Sequence, residues 1–127
     1  MSVKQLELHA DGHVVVIQSP DEVRADESFE VKVAVDEERE FSNTAKHHIR
    51  WIWLQFVPDR TKELLNVGHF SYCSDANPID EPDGDPACTS PVVVVQMKVR
   101  QSGTIHALVL CSVHGMREAT KHVRLIR

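Results

Sequence analysis

Cysteine is scarce in this chain, with three residues at Cys73, Cys88 and Cys111. An odd number argues against a secreted scaffold built from disulfides and leaves at least one thiol free, which we assign to Cys111. Positive charge is also short: 14 Lys and Arg stand against 19 Asp and Glu, a formal net charge of −5 with neutral histidines. No overall basic field therefore favours nucleic acid or an anionic membrane surface. No apolar run approaches the roughly 18 residues that span a bilayer, and residues 1–8 lack the apolar core of a signal peptide, so the expected location is the cytoplasm. No Ser-His-Asp, P-loop or dinucleotide fingerprint occurs, which leaves hydrolase, nucleotidase and Rossmann readings without support.

What is present reads as strands. A chain of 127 residues makes one domain, taken as 1–127, large enough for a real core. Its apolar spacing is mostly two or continuous, and β-branched residues dominate, as in Phe29-Glu30-Val31-Lys32-Val33-Ala34-Val35. Segments 14–17, 29–35, 48–57, 64–72, 91–100, 104–111 and 118–126 follow such patterns, separated by turn signals such as Ser19-Pro20-Asp21 and Gln101-Ser102-Gly103. No amphipathic helix of useful length competes, so we expect an all-β, immunoglobulin-like antiparallel β-sandwich of about seven to eight strands. Residues 73–90 carry Pro78, Pro82 and Pro86 among acidic residues and read as an irregular loop. That loop lacks the ligand spacing of a calcium site, and Cys73 and Cys88 flank it, expected as a reduced pair in the cytoplasm.

Histidine carries the chemical signal. Cys111-Ser112-Val113-His114-Gly115 sets a thiol and an imidazole three positions apart at the end of an apolar run, and a strand end that folds over can bring both to one ion. Gly115 permits that turn. Upstream, His47 and His48 introduce another strand; successive side chains of an extended strand point to opposite faces, so one of the two is expected to bind. His13, after Gly12 at the start of a strand, is a third source. Each alone has a blander explanation, as a core thiol or a solvated ring. His69, His106 and His122 have no paired ligand signal and are assigned to solvated strand faces. Trp51 and Trp53, two apart on one strand face, are assigned to core or inter-subunit packing because no basic groove accompanies them.

These segments together resemble one family. Asn43-Thr44-Ala45-Lys46-His47-His48-Ile49-Arg50-Trp51-Ile52, Ser102-Gly103-Thr104-Ile105, Ala107-Leu108, Cys111-x-x-His114-Gly115 and His13-Val14-x-Val16-Ile17 are similar to segments of the superoxide reductases, the neelaredoxins and the iron-binding domain of desulfoferrodoxin. The resemblance runs through nearly the whole chain in the same order. It implies a mononuclear non-haem iron held by four histidine nitrogens in a plane and one axial cysteine thiolate. It further implies one-electron reduction of superoxide to hydrogen peroxide at an open position, with an electron donor such as rubredoxin, and assembly as a homodimer or homotetramer. Carried onto this chain, the metal ligands are His13, His47, Cys111 and His114, and His48 matches a neighbouring histidine that does not bind.

Two departures stand out. Where the family's fourth histidine opens a His-Pro-Asn-Thr run, this chain has Phe41-Ser42-Asn43-Thr44, and a phenyl ring cannot ligate. Water, or an imidazole from His9 or His48, would have to complete the plane. Where the family has Glu-Lys before its first histidine, this chain has Asp11-Gly12, so Asp11 keeps the carboxylate and the steering cation is lost; Lys46 is the candidate to restore positive charge. The alternative reading is a paralogue that binds zinc or iron without superoxide turnover and acts in electron transfer, in sensing or as a binding module, since three histidines and a cysteine also suit a structural zinc. Under the reductase reading, Phe41→His is expected to raise iron affinity or turnover. An unchanged value of both would mean that the family's iron-site geometry does not carry over.

Overall fold

The computed structural model describes residues 2–8 as backbone and residues 13–36, 49–72 and 89–127 with their side chains. Among these, nine strands form two sheets: β1 Ser2–Leu8, β2 Val14–Pro20, β3 Glu22–Arg24, β4 Phe29–Val35, β5 Ile49–Pro58, β6 Leu65–Ser71, β7 Val92–Met97, β8 Gly103–Cys111 and β9 Gly115–Ile126. One sheet runs β1-β2-β4-β7 and the other β3-β9-β8-β5-β6. Every pairing is antiparallel except β3 with β9. The all-β sandwich expected from the sequence is therefore found, with β1 and β3 added to the segments read from it.

Alternation builds the core. Along β8 every second residue from Gly103 to Cys111 is buried, and along β2 the inward positions are Val15, Ile17 and Ser19. Val31, Val33 and Val35 of β4, Ile52 and Leu54 of β5 and Ala119 and Val123 of β9 join them in one apolar cluster between the sheets. Branched side chains suit these positions because they pack well on a pleated, half-buried surface. Strand β5 takes Ile52 and Leu54 inward, which turns Trp51 and Trp53 to the outer face, where both are partly exposed. The two indoles are thus not core. They pack edge to face with ring centroids 6.4 Å apart, His69 of β6 lies 5.4 and 5.7 Å from them, and Trp53 Nε1 donates to Asn66 Oδ1 at 2.8 Å.

The bend after β2 carries the chain from one sheet to the other. Strand β2 ends at Pro20, and β3 begins at Glu22 beside β9 in the opposite sheet. Asp21 holds this corner: its carbonyl accepts the Arg124 N–H at 2.8 Å, and its carboxylate pairs with the ammonium of Lys121, which is only 5% exposed. A buried ammonium without such a partner would be strongly destabilising. The other histidines of the described strands sit near carboxylates, His122 Nε2 at 2.8 Å from Asp59 and His106 Nδ1 at 3.8 Å from Glu118, both at least partly solvated.

Gly103 opens β8 opposite Pro58 of β5. A Cβ at Gly103 would lie 2.5 Å from Phe56 Cζ and 2.6 Å from the Val57 carbonyl oxygen. Backbone is one of those neighbours, so relaxation is limited. Gly103→Ala is expected to destabilise by about 1–3 kcal/mol, as overpacking does, read as a lower midpoint in chemical denaturation; an unchanged midpoint would show that the β5–β8 end repacks freely.

Candidate metal centre

The same alternation that fills the core places two donors at one end of it. Cys111 continues the inward series of β8, and His13, one residue before β2, continues the inward series of that strand; each is 3% exposed. They belong to opposite sheets, so the gap between sheets is where they meet. His114 arrives by the hairpin from β8 to β9, in which Cys111 pairs with Gly115 and residues 112–114 form the loop. Gly115 has φ of +79°, a left-handed conformation that closes such short loops and that glycine adopts without a Cβ penalty.

The three donor atoms lie within 4.8 Å of one another. His13 Nε2 is 3.2 Å from Cys111 Sγ and 2.9 Å from His114 Nδ1, and Cys111 Sγ is 3.6 Å from His114 Nδ1. The two rings meet edge to face, centroids 4.7 Å apart. The Val113 N–H donates to Cys111 Sγ at 3.4 Å, so the loop that delivers His114 also holds the sulfur. On the opposite side of His13, Nδ1 lies 2.5 Å from Asp36 Oδ2. Asp36 was not singled out from the sequence; an acidic residue ending a strand is an ordinary turn residue there, and only the fold puts it beside His13.

One of the two register shifts of β5 lies beside the site. The register of β5 against β8 shifts between Ile49 and Trp51, opposite Cys111 and Leu110. Such bulges re-aim the chain at sheet ends and next to sites. Of the residues assigned to the site from the sequence, the structure brings together His13, Cys111 and His114. His47, Asp11 and Lys46 lie outside the described residues, as do Phe41, His9, His48, Cys73 and Cys88.

The donor set fits a transition metal. With metal–nitrogen bonds of about 2.1 Å and metal–sulfur bonds of about 2.3 Å, donors at right angles are about 3.0 Å (N···N) and about 3.1 Å (N···S) apart, against about 3.4 and about 3.6 Å for tetrahedral donors. The His13–His114 and His13–Cys111 separations match the right-angle values, and the Cys111–His114 separation matches the tetrahedral one. Thiolate and imidazole together select iron, zinc or copper over magnesium or calcium.

Comparison with known proteins identifies the family. The profile of the Desulfoferrodoxin family matches residues 5–120. The neelaredoxin of Megalodesulfovibrio gigas is 35% identical over 113 residues, covering 89% of this chain and 87% of that one. The superoxide reductase of Pyrococcus furiosus is 32% identical over 106 residues, covering 84% and 83%. Among solved structures, the superoxide reductase (neelaredoxin) of Archaeoglobus fulgidus in the reduced form superposes with a TM-score of 0.70 at 32% identity, over 87% of this chain and 89% of that one. The chain belongs to the desulfoferrodoxin family.

Gly115 gives a clean test of the hairpin. A Cβ there would meet nothing within 4 Å, so any cost of substitution comes from the backbone alone. Gly115→Ala is expected to destabilise by about 1–2 kcal/mol, the cost of placing an L-residue in the left-handed region, and to weaken metal binding as Cys111 and His114 lose their fixed separation. Equal stability by thermal unfolding would show that the loop closes in another conformation.

Proposed function

We propose that this chain is a superoxide reductase that converts superoxide to hydrogen peroxide at a mononuclear, non-haem iron held by His13, Cys111, His114 and His47. The observation that carries the proposal is the convergence of two imidazole nitrogens and one thiol sulfur between the sheets, in a chain whose relatives are named superoxide reductase. Bound there, iron would supply the single electron that, with two protons, turns superoxide into hydrogen peroxide. The protein's part is to hold and shape that centre. Cys111 would hold the metal through a thiolate sulfur that donates electron density to it, and the imidazoles of His13 and His114 would complete the donor set without adding negative charge. The Val113 amide steadies the sulfur through its hydrogen bond.

Access fits a small anion. Cys111 and His13 are buried, His114 is half-buried, and Ser112 and Val113 on the same loop are exposed, so the site lies just beneath the surface at the β8–β9 hairpin. Asp11 is assigned the carboxylate role on the family resemblance, and Lys46, where the family often has an acidic residue, is the candidate to restore the positive charge that attracts superoxide. A rubredoxin-like protein is the proposed electron donor and a homodimer or homotetramer the proposed assembly; the outward Trp51 and Trp53 offer apolar surface for association. A cytoplasmic location, where thiols stay reduced, suits a Cys111 that forms no disulfide among the described residues.

A second reading is favoured by the Cys111–His114 separation, which suits a tetrahedral ion: zinc held without turnover. Elemental mass spectrometry on protein purified without oxygen, chelators or a metal-affinity step separates the two. The reductase reading expects about one iron per chain, lost in Cys111→Ser, together with superoxide-dependent bleaching of a thiolate-to-iron absorption band. Zinc in place of iron, or an iron protein that leaves superoxide untouched, would contradict it.

A further inference from the structure

We infer that Asp36 is a positioning residue for the metal centre: its carboxylate fixes the His13 ring in the tautomer that turns the Nε2 lone pair toward Cys111 and His114. The inference rests on reading these three side chains as metal ligands. Asp36 follows β4 at the point where the β2–β4 ladder, with Val15 opposite Val35, would pair Val14 with residue 36. The Asp36 N–H does donate to the Val14 carbonyl at 2.8 Å. The return bond is different. Asp36 has φ of +51°, and the Val14 N–H donates to the side-chain oxygen Oδ1 at 2.6 Å. The carboxylate thus takes an acceptor's place at the end of the ladder, which locks its orientation and leaves Oδ2 aimed at His13 Nδ1, 2.5 Å away.

An ionised carboxylate can only accept, so Nδ1 is the nitrogen that carries the proton. Nε2 then keeps its lone pair, and Nε2 is the nitrogen that faces the sulfur and His114 Nδ1. Asp36 is 5% exposed and the His13 side chain 4%, so water has little room to replace either bond. Partners of this kind on the far nitrogen of a ligating histidine orient the ring and raise its basicity, and their loss typically weakens metal affinity about 10–100-fold. Asp36 itself touches no metal position.

Two substitutions separate this role from a structural one. Asp36→Asn keeps the size of the side chain, but the Val14 N–H can only donate and so keeps the amide oxygen, which leaves the NH2 group facing His13 Nδ1. Asp36→Gly keeps the positive φ without strain and deletes the carboxylate. Zinc serves as probe because it is diamagnetic and asks nothing of superoxide chemistry. Long-range proton–nitrogen NMR of the zinc-free wild type in mildly alkaline buffer should show His13 protonated at Nδ1. In Asp36→Asn the proton should move to Nε2, and chelator competition should show zinc bound about 10–100-fold more weakly in both variants. A wild-type ring protonated at Nε2, or Asp36→Gly binding zinc as tightly as wild type, would overturn the assignment. A wild type that takes up no zinc would overturn it as well. Tight zinc binding and the expected tautomer in a protein inert to superoxide would remove the proposed function alone and leave Asp36 in its role.

Discussion

Val15, Ile17 and Ser19 from one sheet and Ile105, Ala107 and Val109 from the other are all turned toward the interior, and their burial sets which way every neighbouring side chain must point. A slip of one residue in either strand would expose the whole set, so the register is strongly specified. Position 13 and position 111 lie on these same inward series. The metal centre therefore inherits from the hydrophobic core the placement of His13 and Cys111 opposite each other, and Asp36 then holds the His13 ring. His114 follows from the hairpin, whose length and left-handed glycine fix its offset from Cys111.

Placing polar donors at the end of an apolar core carries a cost that the surroundings must offset. A buried imidazole or thiol without partners loses its hydration and gains nothing in return. Here His13 is bonded on one nitrogen by Asp36 and faces the other donors with the second, and Cys111 accepts from the Val113 amide. The left-handed backbone at Asp36 is a further small strain, of about 1–2 kcal/mol in an L-residue, at a position adjacent to the site. Strain of that kind persists where the surrounding structure over-determines it. The ladder bond from Asp36 N–H to the Val14 carbonyl, together with the Val14 N–H bond to its carboxylate, supplies that determination.

Much of this was legible in the sequence, for identifiable reasons. Segment 29–35 shows in its pattern the bounds of β4, because its valines alternate without interruption. Strand β1 escaped notice because Val3, Leu6 and Leu8 keep no single parity, and β3 because three residues carry no period. Trp51 and Trp53 were open to misreading since both faces of β5 are apolar and parity alone does not say which is inward; the aliphatic Ile52 and Leu54 took the core. Cys111 and His114 stand out through their spacing, and His13 through its place after a glycine at a strand start, to which the family resemblance adds weight. Asp36 could not, because its role depends on a contact with a residue 23 positions away that local pattern does not encode.

The central claim is that His13, Cys111 and His114 bind one metal ion through two nitrogens and one sulfur. X-ray absorption at the metal edge of the protein, isolated without oxygen or chelator, tests it most directly. The account predicts one sulfur scatterer at about 2.3 Å and imidazole nitrogens at about 2.1 Å, with the sulfur contribution gone in Cys111→Ser. A metal shell made only of oxygen and nitrogen would contradict it.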